Sequence, residues 1–211
     1  ILYFDIEADG LLPTIKKVHC MTIIENNEVS TYRPTEVHEG VMRLLQAIKG
    51  GSFICGHNII NYDIPALEKI YPDFRVPREL RKFVLDTLVY ARLVYGDIKT
   101  RDLGLYKAGK LSGNLIGSHS LKAWGYRIGE LKGAYGEQEG AWDKFTEEML
   151  TYNIQDVVVT QKLLERCMSR QIPESALELE HKAQWVMAQQ ERNGFTFDIP
   201  NSCNKSFKFV I

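Results

Sequence analysis

Apolar positions recur along this chain with two periods, and the change from one to the other marks its elements. At the start Leu2, Phe4 and Ile6 alternate with Tyr3, Asp5 and Glu7, the two-residue repeat of a strand, and this apolar run turns acidic at its C-terminal end. Gly10, Leu11, Leu12 and Pro13 mark a turn. Residues 17–24 and 28–33 then read as a hairpin joined through Asn26-Asn27. From residue 35 to 49 the period lengthens: Val37, Val41, Leu44, Leu45 and Ile48 fall on one helical stripe, which Gly50-Gly51 ends. A short strand at 52–55 follows. The order β, ββ, α, β predicts an α/β fold, a mixed sheet with helices packed on it.

Further along, Asp63 opens a helix with Pro65 in its first turn, where the missing N–H costs no hydrogen bond. Asp86-Thr87-Leu88 opens another helix that runs to Tyr95, and capping accounts for this aspartate. The glycine-rich residues that follow read as loops up to a short helix at 120–127, with Ser118 or Ser120 as its cap, and residues 133–140 as a flexible acidic connection. The clearest helix is 145–168. Phe145, Met149, Tyr152, Asp156, Val159 and Leu163 share one stripe, so an aspartate sits in an apolar row with Tyr152 one turn before it. A last helix at 175–192, ended by Asn193-Gly194, carries Leu177, His181, Trp185 and Ala188 on one side. It reads as part of a different unit.

Composition narrows the class. The 211 residues, 45% hydrophobic and 25% charged, suffice for one full-sized core with an appendage. Apolar runs such as Val157-Val158-Val159 are far too short for a membrane span, and no signal-like segment is visible, so a soluble cytoplasmic protein is expected. Cys20, Cys55, Cys167 and Cys203 are widely separated, which argues against zinc and disulfides and for reduced thiols. A net charge of −1 hides an asymmetry: residues 99–132 carry seven basic side chains against two acidic ones, with Tyr106, Trp124 and Tyr126 among them. Such a stretch could grip phosphates and stack bases, or be an ordinary solvated face.

The chemistry concentrates on acids. Asp5 and Glu7 project from one face of the first strand, and two carboxylates on one patch repel unless protons or cations compensate; hard oxygen ligands suit Mg²⁺ or Mn²⁺. A solvated strand end is the alternative. Asp63 could serve a site or merely complement a helix dipole, and Asn58 is equally open. His57 is read as a local hydrogen-bonding residue outside the site. A buried Asp156 needs a partner.

Taken together, strand Asp5-x-Glu7, helix-opening Asp63 and helical Tyr152-x-x-x-Asp156 resemble the three motifs of DEDD-superfamily 3′–5′ exonucleases in their tyrosine branch, the proofreading domain of family A DNA polymerases. Gly117-Ser118-His119, Ala123-Trp124-Gly125-Tyr126-Arg127 and Gln155-Asp156-Val157-Val158-Val159-Thr160 are similar to the short-tailed bacteriophage branch. The resemblance implies a ribonuclease-H-like fold with a C-terminal helical extension: an exonuclease domain over 1–170, a helical segment over 171–200 like the lead-in to a polymerase region, and an unassigned tail, 201–211.

It also implies phosphodiester hydrolysis with two divalent ions, Mg²⁺ or Mn²⁺. By resemblance Asp5 would bridge both, Glu7 and Asp156 complete the first, Asp63 support the second, and Tyr152 orient the attacking water. Leu11 would wedge against the terminal base and Asn58 contact the strand near the scissile end. Implied partners are DNA 3′ ends and single-stranded DNA, with a separate polymerase subunit if the gene is split, in host cytoplasm if phage-encoded. Residues 199–211 leave no room for a palm, fingers or thumb, so polymerisation is not expected of this chain. The rival readings are an RNase-D-like exoribonuclease, which a 2′-hydroxyl substrate would separate, and a non-catalytic DNA-binding remnant of a split polymerase.

Overall fold

Strand β1 (Leu2–Ala8) is the middle of the sheet, and its side chains give the reason. Leu2, Phe4, Ile6 and Ala8 enter one core, whereas Tyr3, on the other face, packs against a second. A strand apolar on both faces must be covered on both. It pairs antiparallel with β2 (Val18–Glu25) and parallel with β4 (Ile54–Gly56). Outside these lie β3 (Glu28–Tyr32) and β5 (Val84–Asp86), so the order is β3-β2-β1-β4-β5. The structure is a computed structural model, and it describes residues 1–130, 135–138 and 140–195.

Each connection follows from local chemistry. Asn26 and Asn27 both take positive φ, 51° and 66°, the hairpin turn whose twist matches the strands and which asparagine tolerates. Helix α1 (Val37–Lys49) buries the whole stripe of Val37, Val41, Leu44, Leu45 and Ile48, each side chain contributing about 1.5–3 kcal/mol. It supplies the crossover that a parallel β1–β4 pair requires. After β4 come α2 (Asp63–Ile70), β5 and α3 (Thr87–Val94). Later, α5 (Leu121–Ile128) starts on Ser120, whose side chain accepts from the Ala123 N–H, and packs on α6 (Glu147–Met168). Helix α6 lies against β1 and β2 on the face opposite α1, where Val159, Leu163 and Leu164 share a core with Tyr90, Ala91 and Trp124.

Two expectations need correction. Residues read as loop contain a helix, α4 (Ile98–Lys107), which buries only Ile98 and Asp102 and so carries no apolar stripe to announce it. And Arg127 does not belong to a solvated basic face. It is buried against Asp102, with Nε–Oδ1 2.9 Å and Nη2–Oδ2 2.7 Å. Burial pushes the Asp102 carboxyl upward, but Arg127 and the Gly117 N–H outweigh this and hold it below its ordinary value.

The last helix, α7 (Glu174–Asn193), packs on α3 and sinks Trp185 and Ala188 into the main core. Cys20, Cys55 and Cys167 are buried free thiols, and Cys203 lies outside the described residues. Of the expected acidic connection, residues 135–137 form one tight helical turn, while 133–134 and 139 lie outside the described residues, as do Lys132 and the tail 201–211. Among the described residues no helix is long and apolar enough to cross a membrane.

Candidate active site

The alternation that sends Phe4 and Ile6 into one core turns Asp5 and Glu7 to the other face, where α6 crosses the sheet. Asp156 comes from that helix. Asp5, Glu7 and Asp156 each offer an oxygen within 4.8 Å of the others. Glu7 and Asp156 are 9% and 6% exposed, so their charge is little relieved by solvent. Three hard oxygen donors at this spacing fit a divalent ion such as Mg²⁺ or Mn²⁺. Asp63, the first residue of α2, lines the same cleft, a hollow of about 780 Å³. Burial, then the nearby Asp86 and Asp156 carboxylates, push its pKa up to about 7, although backbone N–H groups pull the other way.

Asn153, fully buried on α6, donates from Nδ2 to Asp5 Oδ2 at 2.8 Å and so fixes one oxygen of the cluster. Tyr152 also lines the cleft. Its ring stands 5.9 Å from that of Tyr135 and 6.1 Å from that of Trp142, and Tyr135 is itself tied to Ala141 O and Thr146 Oγ1. This aromatic wall had no signal in the sequence, because its members belong to no common period.

The turn after β4 carries Asn58, which lines the cleft with φ at 66°. What holds it there is Asp86. The carboxylate caps α3 through the Leu88 N–H as expected, but it also accepts from the N–H groups of Asn58 (2.8 Å) and Ile60 (3.1 Å). Capping alone therefore understates its role. Gly56 lets the turn close, since a Cβ there would stand 2.2 Å from Ile59 Cγ2 and 2.9 Å from Phe4 O. His57 was expected to bond locally outside the site, but its Nδ1 stands 2.9 Å from Thr87 Oγ1 of α3 and it lines the cleft. Leu11 is 73% exposed and is not among the lining residues; its turn is pinned through Gly10 O to the hydroxyl of the cleft residue Tyr62 at 2.6 Å.

A mixed sheet in this strand order, with acids on its central strand and on the helix crossing it, is the ribonuclease-H-like arrangement. The family model of the RNase_H superfamily matches residues 2–168, and the chain belongs to that superfamily. More particularly, it is similar to DNA-directed DNA polymerases of two phages. It is 40% identical over 238 aligned residues to that of Enterobacteria phage T3 and 39% identical over 234 to that of Escherichia phage T7. These alignments take in 94% and 92% of the chain but 33% of each polymerase, so the chain spans about a third of the length of these relatives. It is an RNase H-like nuclease domain homologous to part of a phage polymerase.

Proposed function

We propose that this domain is a metal-dependent 3′–5′ exodeoxyribonuclease of the proofreading kind, acting on DNA 3′ ends and preferring single-stranded or mispaired termini. The observation that carries the reading is the meeting of Asp5, Glu7 and Asp156 from β1 and α6, with Asp63 and Tyr152 lining the same cleft. The relatives' printed name, DNA-directed DNA polymerase, supports DNA as the substrate. Residues 1–170 form the nuclease unit in this reading, and 171–200 lead toward the region that the longer relatives possess.

Asp5, Glu7 and Asp156, with Asp63, would hold the divalent ions. Such ions supply positive charge against the phosphodiester and acidify water for attack. The remaining roles fall to the chain's own groups. Asn153 keeps Asp5 turned to the cleft, and the Tyr152 hydroxyl, held by the packing of its ring on Trp142 and Tyr135, positions the attacking water by a hydrogen bond. Asn58 offers its side chain to the strand, and Leu11 would meet the terminal base. A matched duplex end is cut more slowly because its last pairs must open, at a cost of about a few kcal/mol.

The test is hydrolysis of oligonucleotides labelled at either end, in Mg²⁺ or in EDTA. Mononucleotide release from the 3′ end in Mg²⁺ alone, faster on single-stranded and mispaired ends than on matched ones, is expected. Release from the 5′ end, or equal rates on all ends, would contradict it. Faster cleavage of the RNA strand than the DNA strand would favour the exoribonuclease reading.

A further inference from the structure

The cleft wall is not all acidic. Besides the carboxylates it is lined by Leu88 and Arg92 of α3 and by residues 117–121, which lead into α5. Leu88 and Arg92 are one turn apart, so they share a helix face. Among the described residues Arg92 is the only arginine or lysine of this lining, and it is exposed and makes no hydrogen bond or ion pair with any of them.

The neighbouring segment is rigid. Asp102 accepts from the Gly117 N–H at 2.8 Å, and Arg127, buried on Asp102, donates to Ser118 O at 2.7 Å. Beside Gly117 lies a second cation: a Cβ built on that glycine would stand 3.8 Å from Lys99 Cβ. Lys99 is exposed and likewise makes no ion pair among the described residues. His119, also in the lining, has a buried Nδ1 with no hydrogen-bond partner among the described residues. A buried ion pair thus braces a strip of chain whose borders are two uncommitted cations.

We infer that Arg92 and Lys99 form a phosphodiester subsite at the cleft margin, holding the backbone of a nucleic-acid strand on the 5′ side of the bond to be cut. The inference rests on the nuclease reading for its polarity, not for its ligand. Away from the carboxylates and the ions they would hold, a strand's phosphates need a cation of the wall itself, and an arginine can grip a phosphate by two N–H groups at once. The exposed position fits an electrostatic contact that steers the strand and is weakened by salt.

The deciding measurement is binding of fluorescent oligothymidylates, two to eight nucleotides long, in Ca²⁺ across a range of NaCl, with Mg²⁺ cleavage run in parallel. Arg92→Ala should weaken binding of the octamer about 3- to 10-fold at low salt. It should also lower the slope of log affinity against log salt by about 0.7, the share of one single-strand phosphate. Lys99→Ala should do the same to a smaller extent, Arg92→Lys should restore the slope, and the loss should grow with oligonucleotide length. Unchanged affinity and slope in Arg92→Ala, or no binding by the parent, would overturn the subsite. If binding behaves as expected but no strand is cut, the subsite stands and the nuclease reading fails. Both side chains are exposed, so melting curves should match the parent, and a large drop in melting temperature would assign them to the fold instead.

Discussion

Tyr152 and Asn153 are neighbours in sequence with different duties, and substitution should separate them. In Tyr152→Phe the ring and its contacts with Tyr135 and Trp142 remain, so melting should be unchanged, while loss of the one hydroxyl should slow single-turnover cleavage roughly 10- to 100-fold, about 1.4–2.7 kcal/mol. In Asn153→Ala a fully buried amide is lost, and with it one hydrogen bond to Asp5. Both stability, by about 1–3 kcal/mol, and rate should fall. Unchanged turnover in Tyr152→Phe would return that tyrosine to a core role. The four acids and the tyrosine could be read from the sequence only with the family resemblance: periods gave Asp5, Glu7, Tyr152 and Asp156 a face, Asp63 had no period, and all five line one cleft. Asn153 could not, since its partner lies 148 residues away and a buried amide has no periodic signature. Asp86 was read only in part, because a cap is local whereas its bonds to Asn58 and Ile60 cross between elements.

Helix α7 belongs to the same body as the site, although its pattern alone suggested a separate unit. His181 Nε2 accepts from the Asp86 N–H at 2.9 Å, and Gln184 donates to Asn61 Oδ1 at 2.8 Å. The helix thus grips both ends of the support for the Asn58 turn. Arg81 stacks on Trp185, 4.4 Å above its ring, which anchors the middle of the contact. In a His181→Ala, Gln184→Ala double variant, amide exchange at residues 58–62 should quicken and apparent substrate affinity should weaken, with the β1–β2 amides still protected. Equal protection of 58–62 in parent and variant would show that Asp86 suffices alone. At this scale legibility followed hydrophobic contrast. Helices α1 and α6 have long apolar stripes and were placed within two residues, whereas α4, with Gly104 inside it and two buried residues, looked like loop. A helix whose main buried group is an ion-paired aspartate gives a reader nothing to count.

Across the whole molecule, the acids of the site make stability depend on pH. Asp63 titrates near 7 when folded against an ordinary value of 3.8. Between those values the folded chain keeps a proton that the unfolded chain releases, so rising pH favours unfolding, by up to about 1.4 kcal/mol per unit from this group. Below that window both states are protonated and above it both are ionised, so the loss is complete by about pH 8. In EDTA, the parent should therefore lose melting temperature relative to Asp63→Asn as pH rises from 4 to 7, and Mg²⁺ should recover it by binding the ionised cluster. Parallel profiles for the two proteins would remove Asp63 from the account. The central strand carries a different consequence. Because β1 turns Phe4 and Ile6 one way and Asp5 and Glu7 the other, sliding it by a single position against β2 would drive two carboxylates into the main core and bring two apolar side chains to the cleft. One alignment serves both packing and chemistry, so a slipped chain is at once charged inside and inert, and mispaired folding cannot yield a sluggish, indiscriminate enzyme.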